Sequence, residues 1–143
     1  MMSIDQNQTR RARVILADDN KNMRDIVVQL LGHEFEVVAT VADGRALVEA
    51  VNDLKPEIGI IDISMPIKNG IQAAVEIKKQ GSSIKIIFLT VNEDADFVRA
   101  AFETGASAYV IKRQMASDLP IAMKETLAGR TYISPGCNLP KNP

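Results

Sequence analysis

The chain has 143 residues, a formal net charge of −1, 46% apolar and 24% charged residues. That is one domain's length with a globular composition, which excludes a disordered chain and needs no disulfide or metal staple to bury a core. Near-neutral charge gives no global attraction to nucleic acid or membrane, and the single cysteine, Cys137, excludes an intrachain disulfide.

Residues 1–12 form a polar lead without the apolar centre of a secretory signal. A first strand is expected over 13–18 (RVILAD), running into the acid pair Asp18-Asp19. Met23, Ile26, Val27, Leu30 and Leu31 then recur with helical period, and Gly32 follows where a left-handed cap is wanted. The second strand, 35–41 (FEVVATV), has no charged end. Leu47, Ala50, Val51 and Leu54 mark a second helix, which Pro56 cannot continue.

The third strand, 58–62 (IGIID), ends in Asp62 and is followed by Ile63-Ser64-Met65-Pro66-Ile67-Lys68-Asn69-Gly70. A weaker helical period at Ile71, Ala74 and Val75 leads to Gly81. The fourth strand, 84–89, runs into Thr90, and Phe97, Ala100, Ala101 and Thr104 form the next helix before Gly105. A fifth strand at 107–111 leads to Lys112, and Leu119, Ala122, Met123 and Leu127 close the pattern before Gly129. Beyond it, residues 130–143 are rich in proline and read as a linker or frayed terminus. No stretch reaches the ~20 apolar residues of a membrane span, so a cytoplasmic protein is expected.

Strand and helix alternate five times, and three strands are apolar throughout, as strands buried on both faces are. The expected fold is α/β, a doubly wound five-stranded parallel sheet with five helices. Ligand sites in such sheets lie beyond the carboxyl ends of the strands, where Asp18, Asp19, Asp62, Thr90 and Lys112 all fall. Three acids at one place form an oxygen-only set suited to Mg²⁺, which takes one or two carboxylates and shares phosphate oxygens. Asp62 can act as a nucleophile toward phosphorus, Lys112 can hold a phosphate oxygen as a point charge, and Thr90 can donate a hydrogen bond.

Each residue also has a plainer explanation when taken alone. Acid pairs at strand ends serve as loop polarity or helix caps, lysines face solvent, and threonines suit strands. Dinucleotide and P-loop sites are excluded by the absence of their glycine motifs. A haloacid-dehalogenase-type phosphatase would need a second Asp where Ser64 stands. His33 lies beyond the first helix without a catalytic companion and is expected to be a solvated cap residue.

Asp18-Asp19, the run Asp62 to Gly70, Thr90 and Ala108-Tyr109-Val110-Ile111-Lys112 together resemble the receiver domain of two-component response regulators. The resemblance covers residues 13–129 and implies the flavodoxin/CheY-like strand order 2-1-3-4-5. Thr126 to Pro135 is similar to the NarL/FixJ subgroup, whose receivers precede a helix-turn-helix DNA-binding domain. It implies that Asp62 accepts a phosphoryl group from a sensor histidine kinase or a small acyl phosphate. Mg²⁺ would be bound by Asp19, Asp62 and the Ser64 backbone carbonyl, with Asp18 acting through water. Lys112 and Thr90 would hold phosphoryl oxygens, and Thr90 and Tyr109 would form a switch that reshapes the face of helix four, strand five and helix five.

Ser64 and Asn92 would flank the water path to the phosphate. Arg113 and Val91 depart from the residues frequent in the family after the lysine and the threonine. The expected protein is therefore a signalling receiver, not a turnover enzyme. It would homodimerise on phosphorylation and reach DNA only through an output domain beyond Pro143, with residues 130–143 as the linker. A stand-alone receiver acting through a protein partner or phosphorelay, a Mg²⁺-dependent small-substrate phosphatase or phosphotransferase, and a receiver fold without the chemistry are the alternatives.

Overall fold

The computed structural model describes residues 10–137. Five parallel strands, β1 (Ala12–Ala17), β2 (Phe35–Val41), β3 (Ile58–Ile61), β4 (Lys85–Thr90) and β5 (Ala108–Ile111), alternate with five α-helices. The helices are α1 (Lys21–Leu31), α2 (Gly44–Leu54), α3 (Gly70–Lys79), α4 (Ala95–Glu103) and α5 (Met115–Leu127). A short β6 (Tyr132–Ile133) joins the sheet, giving the order β2-β1-β3-β4-β5-β6. The expected order 2-1-3-4-5 is thus present and extended by one strand.

Alternation along the strands divides the core in two. Ile15, Ala17, Ile61, Ile86 and Phe88 face α2, α3 and α4. Val14, Leu16, Ile60, Ile87 and Leu89 face α1 and α5. Strands buried on both faces need near-continuous apolar sequence, which explains the runs VILA, IGII and IIFL. Four of the five helices, α1 to α4, start where short polar side chains take up free backbone N–H groups: Asn20 on Met23, Asp43 on Ala46, Asn69 on Gln72 and Asp94 on Asp96. Helices α1, α3, α4 and α5 end as their glycines predict, with Gly32, Gly81, Gly105 and Gly129 all at positive φ, whereas α2 ends at Lys55 in the left-handed conformation. No helix among the described residues is long and apolar enough to cross a membrane.

The segment after Gly129 corrects the expectation of a frayed end. Through residue 137 it is packed. Tyr132 N–H donates to the Ser107 carbonyl (3.1 Å) and Ser134 N–H to the Tyr109 carbonyl (2.9 Å), which builds β6 on the β5 edge. Tyr132 packs against the α1/α5 cluster and Ile133 against the opposite one, so two residues close both layers. The last six residues of the expected tail, and residues 1–9 of the polar lead, lie outside the described residues.

Candidate functional site

β1 and β3 are neighbours whose crossovers leave in opposite directions, so their carboxyl ends open a crevice. Asp18 and Asp62 each stand one residue beyond their strand. Backbone bonds hold them there: Asp18 N–H on the Val41 carbonyl (3.1 Å) and Asp62 N–H on the Ala17 carbonyl (2.9 Å). Asp18 is pinned further by the Asn20 N–H on its Oδ1 (2.9 Å) and by Arg24 Nη1 on its carbonyl (2.7 Å). Behind Asp62 the chain runs so close that a Cβ on Gly70 would sit 2.2 Å from the Asp62 carbonyl oxygen. Only glycine lets α3 begin this near to the acid.

Asp18 and Asp62 are buried, whereas Asp19 is exposed. One carboxylate oxygen from each of the three lies within 4.8 Å of the others. Lys112, just past β5, bridges the two buried acids: its Nζ is 2.7 Å from Asp18 Oδ2 and 3.0 Å from Asp62 Oδ2. Burial pushes the Asp62 carboxyl above the ordinary Asp range, against the pull of Lys112; the Asp18 charge adds to the rise. Burial alone would lower the Lys112 ammonium, but its hydrogen bonds to Asp18 and Asp62 hold it above the ordinary lysine value. The donors are all carboxylate oxygens, and this set fits a hard divalent cation such as Mg²⁺.

Thr90 ends β4 and pairs with Ile111 in the ladder, next to Lys112. Its hydroxyl oxygen is fully buried and accepts from the Asn92 N–H (3.4 Å) and amide Nδ2 (3.3 Å). The Tyr109 ring lies in the core with no exposure, and its hydroxyl donates to the Asn92 carbonyl (2.8 Å). Asn92 therefore touches both expected switch residues, through its amide on one side and its carbonyl on the other. Burial lifts the Tyr109 phenol far above the ordinary range, so it remains a donor. Ser64 is exposed, and its contact with the site is its N–H on Asp62 Oδ1 (3.4 Å).

The Lys112–Arg113 bond is trans, since no cis peptide occurs among the described residues. Arg113 makes a two-pronged pair with Glu93 (3.0 and 2.7 Å) across the loops after β5 and β4. His33 is exposed at the far end of α1, as expected. Sequence reasoning missed Arg24, Asp118 and Ser134. Asp118 falls among the inward positions of α5 beside Leu119 and Ala122, and an acid there signals a buried partner.

Comparison with known proteins identifies the family. Residues 14–124 match the family described as the response regulator receiver domain. The chain is 32% identical over 133 residues to the transcriptional regulatory protein DegU of Brevibacillus brevis, covering 92% of this chain and 56% of that protein. It is 30% identical over 125 residues to the transcriptional regulatory protein LnrK of Bacillus subtilis (strain 168), covering 86% and 57% respectively. It thus spans little more than half the length of these relatives.

A LuxR-family two-component response regulator from Aurantimonas sp. SI85-9A1 superposes with a TM-score of 0.83 at 31% identity, covering 88% of this chain and 91% of that one. The isolated REC domain of RcsB from Salmonella enterica serovar Typhimurium, with the phosphomimetic BeF3-, gives 0.81 at 27%, covering 88% and 95%. RcsB in a structure of two dimers bound to two parallel DNAs gives 0.81 at 27%, covering 88% and 65%. The chain belongs to the response regulator receiver domain family.

Proposed function

We propose that the chain is the phospho-acceptor part of a two-component response regulator and that Asp62 receives the phosphoryl group. The observation that carries this is the shared ammonium: Lys112 lies between Asp18 and Asp62 at the strand ends, with Asp19 beside them. An Asp62 carboxylate oxygen attacks phosphorus as the bond from phosphorus to the donor breaks. The donor, a kinase imidazole or an acyl carboxylate, leaves with the bonding electron pair. Asp18, Asp19, Asp62 and the Ser64 carbonyl would hold Mg²⁺, which when bound neutralises charge on the transferring group. Lys112 stays protonated and pairs with a phosphoryl oxygen; Thr90 supplies a hydroxyl donor from the adjacent strand end.

Thr90 and Tyr109 form the switch, with Asn92 between them, so a shift of the Thr90 loop reaches the β5 edge. The phosphorylated state must favour one arrangement of this pair for a signal to result. Residues 13–129 would be the receiver and a helix-turn-helix DNA-binding domain would follow Pro143. The names of DegU and LnrK support transcriptional output, and the structure of two RcsB dimers bound to DNA supports homodimerisation, which the reading places in the phosphorylated state. A sensor histidine kinase is the expected phosphoryl donor and the cytoplasm the expected compartment. The chain acts as a signalling receiver that promotes only its own phosphorylation and dephosphorylation.

Acetyl phosphate with Mg²⁺, followed by intact-mass measurement, tests the assignment. The expected result is one added phosphoryl group on the wild type and none on Asp62→Asn. Equal labelling of both would remove Asp62 as the acceptor.

A further inference from the structure

The strap of residues 131–137 does more than lengthen the sheet. Ser134, only 2% exposed, sits where β5 gives way to Lys112. Its Oγ accepts the Ile111 N–H (3.0 Å) and donates to Asp118 Oδ2 (2.7 Å). Ile111 is the residue immediately before Lys112, and past Ile133 there is no β6 carbonyl to receive its N–H. A side-chain hydroxyl thus completes the ladder at the point where the backbone must turn into the Lys112–Gln114 turn. The Ser134 N–H meanwhile donates to the Tyr109 carbonyl (2.9 Å), so one residue grips β5 on both sides of Val110.

The anchor of this grip is itself fixed. Asp118 is buried on the first turn of α5, where the helix dipole favours its charge. Its second oxygen accepts from the Ser117 hydroxyl (3.2 Å). With the Gln114 amide nitrogen turned toward it, Gln114 donates to Asp118 Oδ2 (3.1 Å) and to the Pro135 carbonyl (3.0 Å). The turn that carries Lys112 is therefore tied at both ends to the strap: at Ile111 through Ser134 and at Gln114 through Asp118 and Pro135.

We propose that Ser134, anchored by Asp118, is a positioning residue for Lys112, so that docking of the strap and occupation of the phosphoryl site reinforce one another. This rests on the reading of Asp62 as phospho-acceptor. Lys112 is a flexible side chain, and its reach to Asp18 and Asp62 depends on where its backbone stem stands. A docked strap holds that stem in place; by linkage, a phosphoryl group that needs Lys112 there tightens the strap by the same factor. The strap is also the chain that leads toward residue 143, so the state of Asp62 is felt in the segment any following domain hangs from.

The test uses the full 143-residue chain as wild type, Ser134→Ala, Ser134→Thr, Asp118→Ala and Asp62→Asn. Phosphorylation by acetyl phosphate at saturating Mg²⁺ is followed by intact mass, with Mg²⁺ titrated separately by calorimetry. Ser134→Ala and Asp118→Ala are expected to phosphorylate at least about fivefold more slowly, within the loss that a 1 Å misplacement can cause. Ser134→Thr, which keeps the hydroxyl, recovers most of the rate. The Mg²⁺ concentration for half-saturation does not rise above wild type, since a displaced Lys112 competes less for the acids, whereas general loosening of the fold would impair metal binding.

Hydrogen exchange supplies a readout that does not depend on turnover. Beryllofluoride with Mg²⁺ is expected to slow exchange at 131–137 in the wild type, and less so in Ser134→Ala. Equal phosphorylation rates in wild type, Ser134→Ala and Asp118→Ala overturn the proposal, as does strap exchange indifferent to beryllofluoride in a chain that takes phosphate. A wild type that takes no phosphoryl group defeats the Asp62 reading itself, and so is distinguishable from failure of the strap.

Discussion

Replacing Lys112 by methionine isolates the electrostatics of the site. Methionine keeps much of the apolar stem and removes the ammonium that lies 2.7 Å from Asp18 and 3.0 Å from Asp62. What remains is two buried carboxylates with oxygens within 4.8 Å of each other. At an effective dielectric of 20, that separation corresponds to about 3.5 kcal/mol of repulsion. Losing one partner of a buried ionic group costs a similar ~3–5 kcal/mol. Solvent reaching the exposed Asp19 side lowers both figures, so a loss of about 2–4 kcal/mol in EDTA is expected. For a chain of this size it corresponds to a midpoint lower by roughly 10 °C.

Urea unfolding followed by far-UV circular dichroism measures the effect, since the chain has no tryptophan. Saturating Mg²⁺ should restore more stability to Lys112→Met than to wild type, because the cation binds a site freed of a competing charge. A Lys112→Met variant within about 0.5 kcal/mol of wild type in EDTA, the range of an ordinary surface substitution, would refute the bridging role.

The other predictions concern the same crevice. Asp62→Asn should stabilise the metal-free protein at pH 7, because burial raises the Asp62 carboxyl in the folded state. The folded chain then holds a proton that the unfolded chain sheds near its ordinary ~3.9, so wild-type stability falls as pH rises from there through the folded value. Melting curves in EDTA from pH 3.5 to 7 should show this fall in wild type and a smaller one in Asp62→Asn; parallel curves contradict it. Gly70→Ala places a Cβ 2.2 Å from the Asp62 carbonyl oxygen and 2.9 Å from Ile63 Cα, both backbone, and should cost about 2–3 kcal/mol in urea midpoint measurements. Ile67, 70% exposed at φ 70, is the centre of a γ-turn closed by Lys68 N–H on the Pro66 carbonyl (2.7 Å). Ile67→Gly should therefore stabilise the chain by roughly 0.5–1 kcal/mol, measured the same way.

Most of this molecule is legible in its sequence because the signals are redundant. The apolar runs ending at Asp18, Asp62 and Thr90 fix strand type and the end on which polar groups collect, and the helical periods between them leave one topology. The strap escaped because its pairing is carried by only two residues, Tyr132 and Ile133, too few for alternation to register, and because Ser134-Pro135 looks like loop composition. Its partner Asp118 sits 16 residues away, and no local pattern joins the two. The link from Asn92 to Tyr109 escaped for a related reason: it is made by a backbone carbonyl, which any residue would offer.

The charges in the crevice converge on one lysine. Three carboxylates face one ammonium, and Arg24 spends a hydrogen bond on the Asp18 carbonyl instead of on a carboxylate. Two negative charges are left over, which a divalent cation can offset. A phosphoryl group on Asp62 would change that balance again and compete with Asp18 and Asp62 for Lys112, which bridges both buried acids. Any change in the demand on Lys112 is felt at Ile111 and Gln114, where Ser134 and Asp118 hold its stem. A covalent change at Asp62 would thus be answered by Lys112, and through it by the edge of the sheet.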